Sequence, residues 1–287
     1  MSNATQIIGD SRFTEGFRLM NVVPIPNVAT RGHLFSGDAA SPWRLCEWNT
    51  AWPIDPEDAL KGRGWQLCRN EAKTVGVASS TEAGGDLLLQ VSTLPEYNHT
   101  LRTAETPWVH LLVEQKLPKP APLLGLESAR LCGRVRLLHC REPDVLQDPG
   151  RHAAQFFLYF TISNHNKTSL GFSDYYWLGI PFFDSRAESI PDYRAKDFGG
   201  TNKYIYTPGT GTWGLGTLRD LGWMAFDVEL KPGLLAGLNA AWNAGYLPAS
   251  HHMEDYAMTA VNMGWEMPGT FDAAMQVERL ACWVDRR

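Results

Sequence analysis

The segment Gln155-Phe-Phe-Leu-Tyr-Phe-Thr-Ile-Ser163 alternates between two kinds of side chain with a period of two. One set is entirely apolar and consists of Phe156, Leu158, Phe160 and Ile162. The other set combines hydrogen-bonding groups with rings and consists of Gln155, Phe157, Tyr159, Thr161 and Ser163. Because successive side chains of a β-strand point to opposite faces, the segment predicts a strand with one face in the core. Its other face suits a polar, ring-shaped ligand, and a solvated face with two incidental aromatics is the alternative.

The same period of two recurs on both sides of this segment. Further strands are expected at 86–92, 107–115, 130–139, 174–183, 222–230, 256–265 and 274–284. Proline and glycine clusters separate them and no helices alternate with them, which argues against a parallel α/β sheet. We therefore predict an all-β fold, a two-sheet antiparallel β-sandwich of the jelly-roll type, with one short helix at 232–245. Residues 1–30 are expected to form an irregular N-terminal extension, and residues 31–287 a single jelly-roll domain.

The composition is that of a globular chain. Of its 287 residues, 44% are hydrophobic and 20% are charged, which allows a sizeable core and argues against disorder. The net charge of −5 gives a nucleic-acid partner no electrostatic support. No apolar run reaches the length of a membrane span, so we expect no membrane partner. The N-terminus lacks the features of a signal peptide. Ser2-Asn-Ala4 resembles an expression scar, which leaves open whether a leader has been removed. The sequence assigns neither a cellular compartment nor an oligomeric state.

The five cysteines and eight histidines form no recognisable metal-ligand pattern. No Cys-x-x-Cys pair or Cys/His cluster with zinc spacing occurs. Carboxylates near strand ends, such as Asp272, do not supply six oxygen ligands from one loop. We expect no cofactor, with a structural calcium ion as the weaker alternative. Cys132 and Cys140 would lie about 26 Å apart on an extended strand, whereas Cys46 and Cys68 stay open as disulfide partners.

Three other predicted strands also carry a face that mixes aromatic and polar side chains. This face comprises Trp108, His110 and Glu114 in 107–115, Arg134 and Arg136 in 130–139, and Trp177 in 174–183. Sugar rings stack their apolar patches on Trp and Tyr, and sugar hydroxyls hydrogen-bond to planar polar side chains. If the sheets curve, such faces form a concave groove for a carbohydrate ligand. Cross-strand ion pairs on a solvated sheet are the alternative.

The C-terminal quarter of the chain resembles a known class of domains. The segments Ala225–Leu230, Asn262–Glu266 and Gly269–Leu280 resemble the closing strands of β-jelly-roll modules (galactose-binding-like or concanavalin-like) in polysaccharide-degrading systems. The resemblance implies a jelly roll and carbohydrate recognition. No ligand motif of these modules matches position by position, so none of their ligand residues is carried over. In this region Trp265 is in phase with apolar neighbours, and Glu266 is expected to face outward with Tyr256 and Asn262.

The leading hypothesis is a non-catalytic carbohydrate-binding jelly roll. Its expected ligand-binding residues are Trp108, Glu114, Arg136, Gln155, Phe157 and Trp177. A polysaccharide lyase is one alternative, in which His110, Arg134 and Tyr159 would be catalytic. Elimination from a uronic acid needs a cation at the carboxylate together with a base and an acid. The short signatures of jelly-roll alginate lyases are absent from the sequence.

A glycosidase is a further alternative. It would need two carboxylates about 5–10 Å apart. The candidates are Glu114, Asp227, Glu229 and Glu266. The last alternative is a structural or protein-interaction sandwich, for which a flat and fully charged sheet face would be expected.

Overall fold

A computed structural model describes residues 4–23, 30–35, 41–143, 147–198 and 200–287. Within these ranges β-strand is the main secondary structure. The strands are β1 Thr5–Gln6, β2 Phe17–Leu19, β3 Gly32–Leu34, β4 Arg44–Cys46, β5 Ala59–Gly62, β6 Trp65–Arg69, β7 Lys73–Ala78, β8 Leu87–Ser92, β9 Val109–Pro122, β10 Leu126–Arg141, β11 Gln155–Asn164, β12 Tyr175–Asp184, β13 Tyr193–Lys196, β14 Tyr204–Thr207, β15 Met224–Glu229, β16 Tyr256–Met267 and β17 Asp272–Arg286. The α-helices are α1 Thr93–Glu96, α2 Thr210–Trp213 and α3 Lys231–Asn243, and short 3-10 helices span Pro56–Asp58, Thr81–Ala83 and Met253–Asp255.

The strands form two large sheets. Sheet A has the order β15-β10-β17-β8-β7-β6-β5, and β1 also pairs with β17. Sheet B has the order β13-β14-β12-β11-β16-β9-β4-β2-β3. Most pairs are antiparallel, and the pairs β2–β4 and β12–β14 are parallel. The predicted two-sheet β-sandwich of the jelly-roll type is therefore confirmed.

The core lies between the two sheets. The apolar residues of β11 are completely buried there, as the alternation predicts, namely Phe156, Leu158, Phe160 and Ile162. Trp265 on β16 packs its ring 5.1 Å from that of Phe156 and donates a hydrogen bond of 3.0 Å to the carbonyl of Leu89 on β8. Burial of a side chain of this size stabilises the fold by about 1.5–3 kcal/mol. The side chain of Trp265 thus joins sheet B to sheet A.

The predicted helix is present as α3. Pro232 lies in its first turn, and Gly245 follows its end with a φ of 81°. The hydroxyl of Tyr176 on β12 donates a hydrogen bond of 2.6 Å to the carbonyl of Leu234. Gly237 allows the close approach, because a Cβ at that position would lie 2.7 Å from the ring of Tyr176. The helix is thereby fixed against the β12 side of the sandwich.

Two parts of the chain differ from the expectation. Within the described residues 4–23, the supposed irregular extension contributes β1 to sheet A and β2 to sheet B. Strands of two or three residues are too short to show a period of two in the sequence. In β16 the pairing is irregular between Met258 and Ala260, and this bulge changes the phase of the strand. Tyr256 is consequently buried rather than facing outward.

A buried ion cluster lies near one end of β7. Lys73 is 2% exposed, and its ammonium lies 2.6 Å from Glu96 and 3.9 Å from Glu47. The ammonium also donates to the carbonyl of Trp52 at 2.9 Å. Since an unpaired buried charge is strongly destabilising, the three ionic groups depend on one another.

All five cysteines are free thiols. Cys46 belongs to β4 in sheet B and Cys68 to β6 in sheet A, so the disulfide left open by the sequence is not formed. In the part of the chain that the structure describes, no helix has the length and apolar character to span a membrane.

Candidate functional site

The outer face of sheet B, which is turned away from sheet A, carries three rows of side chains that cross the strands. One polar row consists of His110, Glu266, Gln155 and Asp184. The next row is mostly apolar and consists of Cys46, Leu112, Gly264, Phe157 and Pro181. A second polar row consists of Arg18, Arg44, Glu114, Asn262, Tyr159 and Gly179. Residues paired directly across strands share a face, so the register alone brings these side chains together.

The centre of this outer face is recessed. Leu112, Phe157 and Asn262 are 4%, 8% and 7% exposed, although sheet A covers only the opposite face. The surrounding side chains must therefore rise above them. Gly264 leaves a gap between Asn262 and Glu266, and a Cβ there would lie 2.2 Å from a backbone carbonyl oxygen of β9. We call this central area the recess and define it by Leu112, Phe157, Asn262, Gly264 and Glu266.

Glu266 is a carboxyl group without a partner in the recess. Among the described residues, none forms an ion pair or a hydrogen bond with its side chain, and its direct neighbours across the strands are His110 and Gln155. Burial raises the pKa of Glu266 to about 7, and the negative charge of Asp197 acts in the same direction. A carboxyl group with such a pKa exchanges its proton near neutral pH, as a general acid or base must.

Asp197 lies in the loop that follows β13, and its charge acts on residues of the outer face. Its Oδ2 accepts two hydrogen bonds of 2.7 Å, from the backbone amide and the hydroxyl of Thr201. The same hydroxyl accepts a hydrogen bond of 3.5 Å from the indole of Trp177. The charge of Asp197 raises the pKa values of both Glu266 and Tyr159. No cation within the described ranges pairs with Asp197, so no ion pair neutralises the negative charge that acts on Glu266.

His110 lies beside Glu266 as a neutral ring. Burial lowers the pKa of His110 to about 4, against the opposing effects of the Trp108 carbonyl and Asp197. The Nδ1 atom lies 3.1 Å from that carbonyl. Because a carbonyl only accepts hydrogen bonds, Nδ1 carries the proton and Nε2 carries the lone pair. The ring also makes edge contacts with Trp48 at 5.6 Å and Trp108 at 6.1 Å, which limit its movement.

Four rings form a continuous aromatic ladder on the outer face, namely Phe157, Tyr159, Trp177 and Tyr175. Their successive centroid distances are 6.0, 6.2 and 5.2 Å. Gly179 on β12 admits the ring of Tyr159, because a Cβ at that position would lie 2.7 Å from this ring. Burial raises the pKa of Tyr159 well above its ordinary value, and the charge of Glu266 adds to the effect. Tyr159 is therefore a neutral phenol beside the recess.

Three other residues expected to bind a ligand also lie on this side of sheet B. Glu114 forms an ion pair with Arg44 from β4. Gln155 donates a hydrogen bond of 2.8 Å to Asp184 on β12. Trp108 precedes β9 and is 38% exposed. Glu114 and Gln155 thus have partners within the protein, unlike Glu266.

Arg134 and Arg136 lie elsewhere, so the expectation that they share a face with His110, Gln155 and Tyr159 is wrong. Both belong to β10 in sheet A. Arg134 pairs with Glu278 at 2.7 Å, and Arg136 hydrogen-bonds to Gln276. Their guanidinium groups lie 4.8 and 4.9 Å from the ring centroid of Trp223. The alternation of 130–139 is real, but alternation does not reveal the sheet to which a strand belongs.

The four carboxylates considered for a hydrolytic pair do not converge. Glu114 and Glu266 occupy adjacent strands, but their rows lie four residues apart, about 13 Å along the strands. Asp227 on β15 pairs with Arg130, and Glu229 accepts hydrogen bonds from the neighbouring strand. Both belong to sheet A. Any pair that includes Glu266 must draw its second carboxylate from elsewhere.

Sequence reasoning missed Asp197 as a functional candidate. It lies in a loop without periodicity, and no local pattern indicates that this loop reaches the outer face of sheet B. Asn262 is in phase with Glu266 in the sequence, and this phase is the signal that indicates its outward position.

In the described ranges, no group of three or more His, Cys, Asp or Glu side chains is placed to hold a metal ion. A small cavity of about 160 Å³ is lined by residues that include Leu137, Phe183 and Arg219, and it contains no residue of the recess.

Comparisons by sequence give no match, either to a family model or to a curated protein. Comparisons by structure give matches with low sequence identity. A family 12 xyloglucanase from Bacillus licheniformis is 12% identical and matches 82% of this chain and 99% of its own, with a TM-score of 0.44. An endoglucanase from Rhodothermus marinus is 13% identical and matches 82% of this chain and 97% of its own, with a TM-score of 0.41.

A family 11 xylanase from Neocallimastix patriciarum is 8% identical and matches 84% of this chain and 99% of its own, with a TM-score of 0.38. The expected resemblance to jelly-roll proteins of polysaccharide-degrading systems is thus confirmed as a resemblance.

Proposed function

We propose that the protein binds a carbohydrate chain along the outer face of sheet B. The observation that supports this proposal is the aromatic ladder, which leads into a recess containing the unpaired carboxyl group of Glu266. Stacking rings next to a few polar groups suit a pyranose, which has apolar C–H patches and a rim of hydroxyls. A solvated sheet face would instead expose its aromatics singly and pair its charges.

The test of this proposal is a binding screen with paired tryptophan variants. Calorimetry would use hexasaccharides of a neutral hexose, a neutral pentose, an N-acetylhexosamine and a uronic acid. Trp177→Ala removes one ring of the aromatic ladder, whereas Trp283→Ala removes a 43% exposed tryptophan from β17 in sheet A. We expect Trp177→Ala to weaken binding about tenfold or more, because an aromatic contact contributes about 0.5–1.5 kcal/mol beyond its buried area. Equal losses in the two variants, or no binding of any hexasaccharide by the parent protein, would contradict the proposal.

A glycosidase is the second candidate function, and the pKa of about 7 for Glu266 favours it. Part of the Glu266 population is protonated near neutral pH and available to protonate a leaving sugar oxygen. Asp197 would act as the second carboxylate, because its charge reaches Glu266 and no cation of the described residues neutralises it. A lyase receives less support, because Arg134 and Arg136 lie in sheet A and Arg44 is paired with Glu114.

Product analysis separates these activities. The parent protein, Glu266→Gln and Asp197→Asn would be incubated with the same hexasaccharides, with detection of reducing ends and of unsaturated uronate absorbance. Hydrolysis by Glu266 and Asp197 predicts reducing ends without that absorbance, and a loss of at least about a hundredfold in each variant. Binding without either product would identify a non-catalytic module and eliminate the second candidate.

A further inference from the structure

Asn262 has an amide that the fold does not use. It lies on β16 between Tyr159 on β11 and Glu114 on β9, and it is only 7% exposed. Within the described part of the chain, no hydrogen-bond partner is found for its side chain. Most buried side-chain amides in proteins have partners, because leaving one without a partner forfeits its hydration. The amide atoms of Asn262 are not among the fully buried polar atoms, so solvent reaches this unpartnered amide in the recess and a ligand could do the same.

Most neighbouring polar groups on this face have partners, although the Nε of Arg44 in the same row is buried without one. Glu114 in the same row is paired with Arg44, and Gln155 in the other polar row bonds to Asp184. Asn164, at the end of β11, is 1% exposed. Its Nδ2 donates a hydrogen bond to the hydroxyl of Ser169, and its Oδ1 accepts one from the backbone amide of Asn166. Asn262 shares its lack of a partner with Glu266, which lies on the same strand and the same face. The two unpartnered groups are thus both part of the recess.

The surroundings of Asn262 leave its amide open to a ligand. Gly264, the next residue of β16 on this face, has no side chain to cover it. Tyr159, its direct neighbour on β11, belongs to the aromatic ladder. Asn262 is therefore a direct cross-strand neighbour of a ring on which a sugar could stack. A primary amide places an acceptor oxygen next to a donor nitrogen, which matches the donor and acceptor of two adjacent sugar hydroxyls.

We propose that Asn262 is a specificity-determining residue that hydrogen-bonds to adjacent hydroxyls of the sugar bound over the recess. This inference rests on the proposed carbohydrate binding. It adds that two adjacent hydroxyls are the part of the sugar that the protein recognises. It assigns Asn262 to recognition rather than to folding. A site built to hydrogen-bond a hydroxyl rejects analogues that lack it, because the amide then stays buried without a partner.

The experiment combines stability and affinity. Asn262→Leu replaces the amide by an apolar group of similar volume, and Asn164→Leu is the matched control for a buried amide that has partners. Urea unfolding is expected to show an unchanged or higher midpoint for Asn262→Leu and a lower midpoint for Asn164→Leu. Calorimetry with the tightest-binding hexasaccharide of the panel is expected to show an affinity loss of tenfold or more for Asn262→Leu.

Deoxy derivatives of the same hexasaccharide provide a readout that a structural role would not affect. At least one derivative that lacks a single hydroxyl should bind the parent protein and Asn262→Leu with equal affinity. This derivative lacks the hydroxyl that bonds to Asn262, so removing the amide costs it nothing. The inference is overturned if Asn262→Leu binds the unmodified hexasaccharide as tightly as the parent protein, or if its unfolding midpoint falls as far as that of Asn164→Leu. Absence of binding by the parent protein would instead refute the proposed function itself.

Discussion

Replacing Glu266 by glutamine should stabilise the protein at alkaline pH and leave its stability nearly unchanged at acidic pH. The pKa of this carboxyl group rises from an ordinary 4.5 to about 7 on folding, mainly because of burial. Between these two values the folded protein binds more protons than the unfolded chain. The free energy of unfolding therefore falls as the pH rises through this window. Above about pH 7 the folded protein carries the full cost of holding Glu266 as a buried charge.

The size of the effect follows from the pKa change. A tenfold change in proton affinity corresponds to about 1.4 kcal/mol, so a rise from 4.5 to about 7 corresponds to about 3.5 kcal/mol at most. Glu266 is partly exposed, and solvent reduces this value. We expect Glu266→Gln to be more stable than the parent protein by about 2 kcal/mol at pH 8, and by less than about 0.5 kcal/mol at pH 4.5.

Urea unfolding at pH 4.5, 6 and 8 measures this difference. Glu114→Gln is the matched control, since Glu114 lies on the same face but is paired with Arg44. At pH 8 we expect the control to be less stable than the parent protein by about 1–3 kcal/mol, because the partly buried Arg44 loses its partner. If Glu266→Gln shifts the free energy of unfolding equally at all three pH values, Glu266 is not held in an environment that disfavours its charge.

Three further predictions concern the fold. Gly264→Ala should destabilise the protein by about 3 kcal/mol or more in thermal unfolding, because its Cβ would overlap a backbone carbonyl at 2.2 Å and φ is 153°. Gly211→Ala, where no atom lies within 4 Å of the added Cβ, should have little effect, and similar losses in both variants would contradict the steric argument. Lys73→Met should lower the free energy of unfolding by about 3–5 kcal/mol, since Glu96 would remain buried without its cation, and a neutral result in urea unfolding would oppose this. A reducing agent should leave the melting temperature unchanged, and thiol titration of the denatured chain should give five thiols without prior reduction, whereas fewer would reveal a disulfide.

The alternation of 155–163 was sufficient to predict both faces of β11. Its apolar set is fully buried, and Phe157 and Tyr159 of its other set belong to the aromatic ladder. This success has a physical reason, because a strand with one buried face must follow a period of two. Tyr256 was placed wrongly because the bulge in β16 inserts a residue, and no sequence pattern distinguishes such a bulge from regular pairing.

The candidate site was harder to predict than the fold, because it depends on which strands become neighbours. Arg134 alternates as regularly as Tyr159, yet one lies in sheet A and the other in sheet B. Asp197 comes from a loop that is held by hydrogen bonds from Thr201 to Asp197 and by the hydrogen bond from the indole of Trp177 on β12 to the Thr201 hydroxyl. Periodicity describes a strand and its faces, whereas the recess arises from residues between 112 and 266 that only tertiary pairing brings together.

The position of β16 and β17 has a consequence for how the protein is made. These strands come last in the sequence of elements, yet β16 lies between β9 and β11 and β17 between β8 and β10. On a ribosome, the earlier strands must wait with unpaired edges until both have emerged, and such edges are prone to intermolecular pairing. Pairing over such sequence separations is intrinsically slow. Chaperone assistance during synthesis, and strong aggregation of fragments that lack residues after 255, are therefore expected properties of this topology.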